Sequence, residues 1–167
     1  MNPRPESTDL TEIQEWSYAQ ASKSLLESYP KSQAMNTSEL NEFLNRKIYS
    51  VLATTRPGGR AHATPVGFLL WRNAFWIASI EGTRTRNLRN QPWGSIVIIE
   101  GEPPRKHQAV IAEGPVQLHE GSEMKAILEK QEFTGLWEKK LGRKPDWASV
   151  LIELKPERLF SYDAKKE

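Results

Sequence analysis

The sequence predicts a mainly β fold, a six-stranded antiparallel β-barrel with small helices and an N-terminal helical extension. Between Ile48 and Leu154, six apolar segments have the length and composition of β-strands, and most of them alternate with a period of two. Most links between them are short, which favours antiparallel neighbours. Closing such a sheet into a barrel removes its unpaired edges. The 167 residues, 38% of them hydrophobic, suffice for one domain with a core.

The first 36 residues are predicted to form the extension, helical or partly disordered, and residues 37–167 the barrel domain. An amphipathic helix is expected after Thr8 or Asp9, and Tyr29-Pro30 ends this segment. Its apolar stripe consists of Leu10, Ile13, Trp16 or Ser17, and Ala21. Because an exposed tryptophan is unfavourable, we expect the helix to dock on the barrel or on a partner subunit.

The barrel domain begins with a predicted helix from Thr37 or Ser38 to Asn45, which turns Leu40, Phe43 and Leu44 inward. The predicted strands are Ile48 to Thr54, His62 to Trp71, Ala74 to Ile80, Ser95 to Glu100, Gln108 to Leu118, and Val150 to Leu154. The fourth, SIVIIE, has four consecutive apolar residues and is expected to be buried on both faces.

Two further segments separate the last two strands. An amphipathic helix is predicted from Ser122 to about Phe133, with Met124, Ile127 and Leu128 on one side. The basic run at residues 139–144 is interrupted by Gly142 and flanked by acidic residues, which favours a solvated loop.

Composition excludes several classes of site. The chain has no Cys, so it has no disulfide, thiolate metal site or Cys nucleophile. Its three histidines are far apart without a carboxylate pattern, which argues against a metal site. It lacks the glycine-rich, serine-elbow and metalloprotease motifs, so an enzyme would need a cofactor to supply its chemistry. No apolar run could span a membrane and no signal peptide is evident, so a soluble cytoplasmic protein is expected.

Positive charge is concentrated in the middle of the chain. Residues 47–112 carry nine Lys and Arg against three Asp and Glu, whereas the flanking segments are acidic or nearly neutral. This pattern indicates one anion-binding site, with a solvated basic patch as the alternative. A nucleic-acid-binding barrel is disfavoured, because Trp71, Phe75 and Trp76 follow the spacing of a core strand.

One segment, from Ser79 to Asn90, combines a strand end, a turn at Gly82 and a helix start with Thr83 as the expected cap. A helix N-terminus favours anions, yet its first turn here holds Arg84 and Arg86. Residues three apart share a helix face, so Arg84 and Asn87 are expected to converge on an anionic ligand while Arg86 points elsewhere. The alternative is that Arg84 pairs with Glu81.

The second informative segment is the strand around Pro65. A proline removes a ladder donor, so this strand is expected at an edge or with a bulge. His62, Thr64 and Val66 would share one face beside free backbone groups that a planar ligand can contact. His62 by itself is also compatible with a structural role.

The segments LNEFL, SVLATT, PGGRAHATPVGF, FWIASIEGTRTRNLRNQP and SIVII together resemble the pyridoxamine 5'-phosphate oxidase-like flavin-binding split-barrel family, and LIELKPERLFSYD is similar to its last strand. The resemblance implies a homodimer that binds flavin mononucleotide (FMN) in a groove between subunits. It places the phosphate on Arg84 and Asn87, beside Thr83 at the helix start. It places the ring system on His62, Thr64, Pro65, Val66, Ala78 and Ser79.

The sequence departs from the family pattern at three places. Ala61 stands where the family often has Pro, and Arg84 where it often has Lys, although Arg can hold a phosphate bidentately. The Arg-His pairs that bind pyridoxamine phosphate are not evident near residues 156–159, which argues against that substrate. The expected function is an FMN-dependent oxidoreductase acting on a small organic substrate. The alternatives are a deazaflavin cofactor and a non-catalytic module that binds flavin or, with less support, haem.

Overall fold

The computed structural model describes residues 9–102 and 106–166. The helices are α1 (Leu10–Ala19), α2 (Lys23–Ser28), α3 (Thr37–Arg46), α4 (Thr83–Asn90), α5 (Gly121–Leu128) and α6 (Gln131–Leu141), with single 3₁₀ turns at Lys31–Gln33 and Ala164–Lys166. The strands are β1 (Tyr49–Thr55), β2 (Ala61–Gly67), β3 (Leu69–Trp71), β4 (Ala74–Ser79), β5 (Trp93–Glu100), β6 (Gln108–His119), β7 (Val150–Leu154) and β8 (Arg158–Asp163).

The strands form an antiparallel split barrel, which confirms the predicted fold class. Along the sheet the order is β2-β1-β5-β6-β7-β4-β3, and β8 also pairs with β6. The long strand β6 joins the two halves, because its first part pairs with β5 and β8 and its last four residues pair with β7. The barrel is left open where β2 and the end of β4 face each other.

The described residues contain eight strands where six were expected. The predicted second strand is divided at Phe68, because β2 pairs with β1 whereas β3 pairs with β4. The Phe68 N–H donates to Ile48 O and extends the β1–β2 pairing by one bond. Strand β8 has the sequence RLFSYD, in which the adjacent apolar residues Leu159 and Phe160 break a period of two. It pairs in register with β6, from Gln108 opposite Asp163 to Glu113 opposite Arg158.

The N-terminal extension is docked on the barrel from Asp9 onward, while residues 1–8 of that predicted segment lie outside the described residues. Asp9 caps α1 by accepting hydrogen bonds from the Thr11 and Glu12 amides. The Tyr18 hydroxyl donates to Ser161 O, and the Leu159 N–H donates to Ser17 Oγ. Helix α1 is therefore tied to β8 by backbone-directed bonds as well as by apolar packing.

Helix α3 and strand β5 show where the periodicity reading succeeds and fails. Helix α3 begins with a capping box between Asn36 and Glu39, and its predicted inward residues Leu40, Phe43 and Leu44 are buried. The expectation that β5 is buried on both faces is wrong for the single chain. Ile99 is 60% exposed, because β5 alternates between the core and an outer face that no described element covers.

A second apolar cluster lies outside the barrel, between the sheet and helices α5 and α6. The single predicted helix at Ser122–Phe133 is in fact two helices with a break before Gln131. Trp71 and Trp76 are buried here against Phe133, and Phe75 is buried in the barrel core, so none of the three aromatic strand residues is available for stacking on a base. Within the described residues, no helix is long and apolar enough to cross a membrane.

Candidate functional site

The opening of the barrel lies between two strand edges. Among the described strands, β2 pairs only with β1, and residues 77–79 of β4 extend beyond the pairing with β3. The prediction that Pro65 lies in an edge strand is correct, but the ladder opposite it is regular and has no bulge. The edge therefore presents backbone groups to the opening, where a ligand can reach them.

Arg84, in the first turn of α4, bridges this opening. Its Nε and Nη2 donate to Thr64 Oγ1 on β2 at 3.1 and 3.0 Å, and its Nη1 donates to Ser79 Oγ on β4 at 3.2 Å. Among the described residues it forms no ion pair, and burial lowers its pKa from the ordinary value. A half-buried guanidinium whose partners in the described part of the chain are hydroxyl groups has no carboxylate there to neutralise it, so an anionic ligand would be favoured.

The predicted alternative, an Arg84–Glu81 pair, is not what the structure shows. Glu81 instead receives Nη1 of Arg89 at 2.8 Å and a second, shorter bond from Nη2, and Arg89 also contacts Glu120. The hydrogen bond from Arg89 lowers the pKa of Glu81 to about 2. The nearest acidic residue in sequence is thus ionised and committed to the other end of α4.

The helix start differs from the predicted one in its cap. Gly82, not Thr83, is the N-cap residue, and its N–H donates to Thr85 Oγ1 at 3.0 Å. Thr83 is the first helical residue and accepts a bond from Arg86 Nη2 at 3.3 Å. Arg86 is exposed and does not reach the opening, as its position two residues from Arg84 predicted.

Asn87 lies one turn after Arg84 on the same side of α4. Its side chain is buried, and its Nδ2 donates to Thr54 Oγ1 at 3.0 Å. Arg84 and Asn87 therefore both contact the inner face of the β1–β2 hairpin. Thr54 was not predicted as a site residue. Strand alternation could have placed Thr54 on the inner face, because it follows the inward Leu52 by two residues. It also lies opposite His62 in the hairpin.

The remaining predicted residues divide between the two faces of their strands. His62, Thr64 and Val66 share the inner face, as predicted, and Val66 is part of the core. The buried Nδ1 of His62 has no hydrogen-bond partner within residues 9–102 and 106–166. Pro65 is exposed on the other face, and Ala78 packs in the cluster beneath α6, whereas its neighbour Ser79 contacts Arg84. The structure thus brings together Arg84, Thr64, Ser79 and Asn87, with His62 nearby on β2.

Comparison with known proteins identifies the family at this point. The sequence model of pyridoxamine 5'-phosphate oxidase matches residues 37–163, which is most of the chain. The chain belongs to the pyridoxamine 5'-phosphate oxidase family. The resemblance drawn from the sequence segments is thereby confirmed. No curated protein matches the chain in sequence.

Solved structures share the fold at low identity. A conserved hypothetical protein from Mycobacterium tuberculosis aligns with a TM-score of 0.71 and 21% identity, covering 83% of this chain and 91% of that one. An FAD-binding protein from Mesorhizobium loti aligns with a TM-score of 0.62 and 15% identity, covering 78% of this chain and 95% of that one. The haem storage protein HutZ from Vibrio cholerae aligns with a TM-score of 0.58 and 23% identity, covering 76% of this chain and 94% of that one. Structures with the pyridoxamine 5'-phosphate oxidase fold thus include flavin-binding and haem-binding proteins.

A second polar cluster lies on the outer face of the sheet, beneath α5. His119 Nδ1 is 2.6 Å from Glu123 Oε1, and His119 Nε2 is 2.7 Å from Glu153 Oε2. The ring stacks on Trp76 at 5.2 Å, and His119 and Glu153 are both buried. Both ring nitrogens are occupied by carboxylates. Across residues 9–102 and 106–166, no group of three His, Asp or Glu side chains is arranged to hold a metal ion.

Proposed function

We propose that this protein is an FMN-dependent oxidoreductase that transfers hydride between the bound flavin and a small organic substrate. The observation that carries the proposal is Arg84, which bridges the opening of the barrel and has no carboxylate partner among the residues that the structure describes. Buried cations are ordinarily paired, so the unpaired guanidinium favours an anionic ligand. Membership of the pyridoxamine 5'-phosphate oxidase family supports a flavin as that ligand.

The residues at the opening suit the two ends of a flavin mononucleotide. The phosphate would be held by Arg84, whose planar fork matches phosphate geometry, and by the amides at the start of α4, whose first turn holds no acidic residue. The ring system would lie against the edge of β2, where His62 Nδ1 lacks a partner. When bound, the flavin supplies the hydride chemistry, while the protein contributes position and electrostatics.

Within this proposal, Asn87 and Thr54 hold the β1–β2 hairpin against α4. Their bond is buried, so it fixes the distance between the helix start and the inner face of β2. Arg84 keeps its orientation through Thr64 and Ser79, which lie on opposite sides of the opening. A ligand phosphate that replaced these two hydroxyl groups as acceptor would meet a guanidinium already in place.

We further propose that the protein acts as a homodimer, in which a second copy completes the groove. The outer face of β1 and β5 exposes Tyr49, Val51 and Ile99, while Val97 lies opposite Val51 in the ladder. A contiguous apolar strand face of this kind is typical of an interface between subunits. Analytical ultracentrifugation is expected to give twice the 19.1 kDa chain mass.

The second candidate is binding of flavin or haem without turnover. Haem iron commonly takes an axial histidine. His62 lies on the inner face of β2, and its buried Nδ1 has no hydrogen-bond partner among the described residues, whereas both ring nitrogens of His119 face carboxylates. A deazaflavin is the alternative flavin-type cofactor, since its phosphate tail would use the same Arg84 contact.

The experiment begins with the absorption spectrum of the purified protein, followed by titration of cofactor-free protein with FMN. Flavin fluorescence is expected to be quenched with saturable binding, and competition with deazaflavin and haem ranks the three cofactors. Consumption of reduced nicotinamide in the presence of an electron acceptor, compared with free FMN at the same concentration, tests turnover. A protein that takes up no flavin would contradict the proposal, and one that binds FMN without accelerating turnover would support the non-catalytic candidate.

A further inference from the structure

A cavity separate from the barrel opening lies between α3, β3 and α6. It has a volume of about 660 Å³, within the range of small-ligand sites. Its lining comprises Asn45, Arg46, Ile48, Leu69, Leu70, Leu136, Lys139 and Lys140. Three of these residues are cationic and none is acidic, while the other half of the lining is aliphatic. The cavity therefore combines a positively charged wall with an apolar floor.

The central charge of this wall is Lys140, which the sequence placed in a solvated basic loop. That expectation is wrong for this residue, because α6 continues to Leu141 and directs Lys140 inward. Its Nζ donates to Leu44 O, the end of α3, at 2.9 Å and lies 3.8 Å from the centre of the Phe68 ring. An ammonium group has three donors, so further donors remain after the bond to Leu44.

No carboxylate in the described part of the chain pairs with Lys140. Burial alone lowers its pKa to about 8, with no neighbouring charge contributing. The adjacent Arg46 is different, because its guanidinium pairs with Glu100. Lys140 is thus a partly desolvated cation whose protein partners are a carbonyl group and an aromatic face.

The apolar half of the cavity is open to solvent. Ile48 is 40% and Leu136 is 42% exposed, and both lie beside the half-buried Leu70. Large aliphatic side chains exposed next to an unpaired ammonium group match a ligand that has an apolar chain and a single negative charge. A carboxylate fits the donors that remain on the Lys140 ammonium group.

We propose that this cavity binds an amphipathic carboxylate, with its head group on Lys140 and its hydrocarbon chain along Ile48, Leu70 and Leu136. The site uses α3, β3 and α6, whereas the proposed flavin site uses β2, β4 and α4. The two sites are therefore separate, and the proposal does not depend on the identity of the cofactor.

The test is isothermal titration of the full-length protein with decanoate, decanol and acetate. Saturable one-to-one binding of decanoate, at least tenfold tighter than that of either decanol or acetate, is expected. The Lys140→Met variant keeps an unbranched side chain of similar volume but removes the ammonium group. It is expected to weaken decanoate binding at least tenfold. Lys125→Met, which removes an exposed cation from α5, is the matched control and is expected to bind like the wild type.

The apolar half is tested by Leu136→Ser, which changes an exposed position and is expected to weaken decanoate but not acetate. Equal decanoate affinity in the wild type and Lys140→Met would overturn the proposal, as would decanol binding as tightly as decanoate. A vesicle sedimentation arm, with anionic phosphatidylglycerol vesicles, separates free carboxylates from a membrane surface. The proposal would also be overturned if the wild type bound vesicles but not decanoate and Lys140→Met did not bind vesicles. That result would indicate a patch that faces a membrane.

Discussion

Two basic side chains of this protein, His119 and Arg84, differ in burial and in the partners that surround them. His119 is buried, whereas Arg84 is half-buried. His119 lies beneath α5 with a carboxylate at each ring nitrogen. Arg84 lies in the opening of the barrel, where its guanidinium donates to two hydroxyl groups and has no carboxylate among the described residues. Both ring nitrogens of the first group have carboxylate partners within the chain, whereas the charge of the second has none among the described residues.

The difference separates structural polar groups from binding groups in this fold. A buried group with a complete set of partners stabilises one arrangement of its neighbours, and removing a partner leaves an uncompensated charge. A group with neutral partners contributes less to folding and more to the binding of an anion. Substitutions at the two places are therefore expected to change different quantities, namely the free energy of unfolding and the affinity for flavin.

The largest effect is expected for Glu153→Leu. It removes a buried carboxylate from His119 Nε2 and is expected to lower the free energy of unfolding by about 3 kcal/mol, because the ring nitrogen loses its only described partner in a buried place. Urea unfolding followed by tryptophan fluorescence measures it. Glu123→Gln changes the other partner, whose side chain is 56% exposed, and is the control, with a loss below about 1 kcal/mol. Equal losses for the two variants would contradict the assignment of His119 to the folded core.

The next effect concerns Arg84. If Arg84 holds the flavin phosphate as proposed, Arg84→Ala is expected to weaken FMN binding by about 1.5–3 kcal/mol, roughly 10- to 150-fold, because that charge-assisted contact is lost. Flavin fluorescence titration measures the dissociation constant. Unfolding of the cofactor-free variant is expected to change by less than about 1 kcal/mol, which distinguishes Arg84 from Glu153.

Arg86→Ala is the matched control for that variant, since the two arginines lie on the same turn of α4. Arg86 is exposed and contacts Thr83, so its removal is expected to change the dissociation constant less than twofold. If both variants lost the same affinity, the effect would come from the net charge of the helix start rather than from the Arg84 contact.

The part of this site that the sequence predicts is the part set by local geometry. The three-residue spacing of Arg84 and Asn87 places both on one side of α4, and strand alternation places His62 and Thr64 on one face of β2. The turn residues between β1 and β2 fix the register of the hairpin. Each of these relations extends over only a few residues, so a single sequence is enough to predict it.

Long-range partners were not predictable in the same way. Thr54 is 33 residues from Asn87, and Arg89 pairs with both Glu81 and Glu120, across 8 and 31 residues. The contact between Arg89 and Glu120 depends on where α5 begins, which hydrophobic periodicity does not specify. Strand β8 was missed for a related reason, because its pairing with β6 rather than its own pattern makes it a strand.

A smaller effect is expected for Lys140, a third basic group, which like Arg84 has no carboxylate partner among the described residues. Its pKa is lowered from 10.5 to about 8, so in the folded state burial disfavours the charged form. The full shift corresponds to ~3 kcal/mol. The stabilisation gained by removing the charge is smaller than this value, because Lys140 is partly exposed and its bond to Leu44 O is lost. Lys140→Met is therefore expected to raise the free energy of unfolding by about 1–2 kcal/mol at pH 7.

The lowered pKa of Lys140 determines how the stability difference between the wild type and Lys140→Met changes with pH. Below pH 8 the lysine is charged in both states and the wild type bears the whole penalty. Between pH 8 and 10.5 the unfolded chain holds more protons than the folded one, so wild-type stability rises with pH relative to Lys140→Met. The advantage of the variant should therefore disappear above about pH 10.5 in urea unfolding measured across this range. A gain that stayed constant with pH would show that methionine improves the packing and that Lys140 bears no charge penalty.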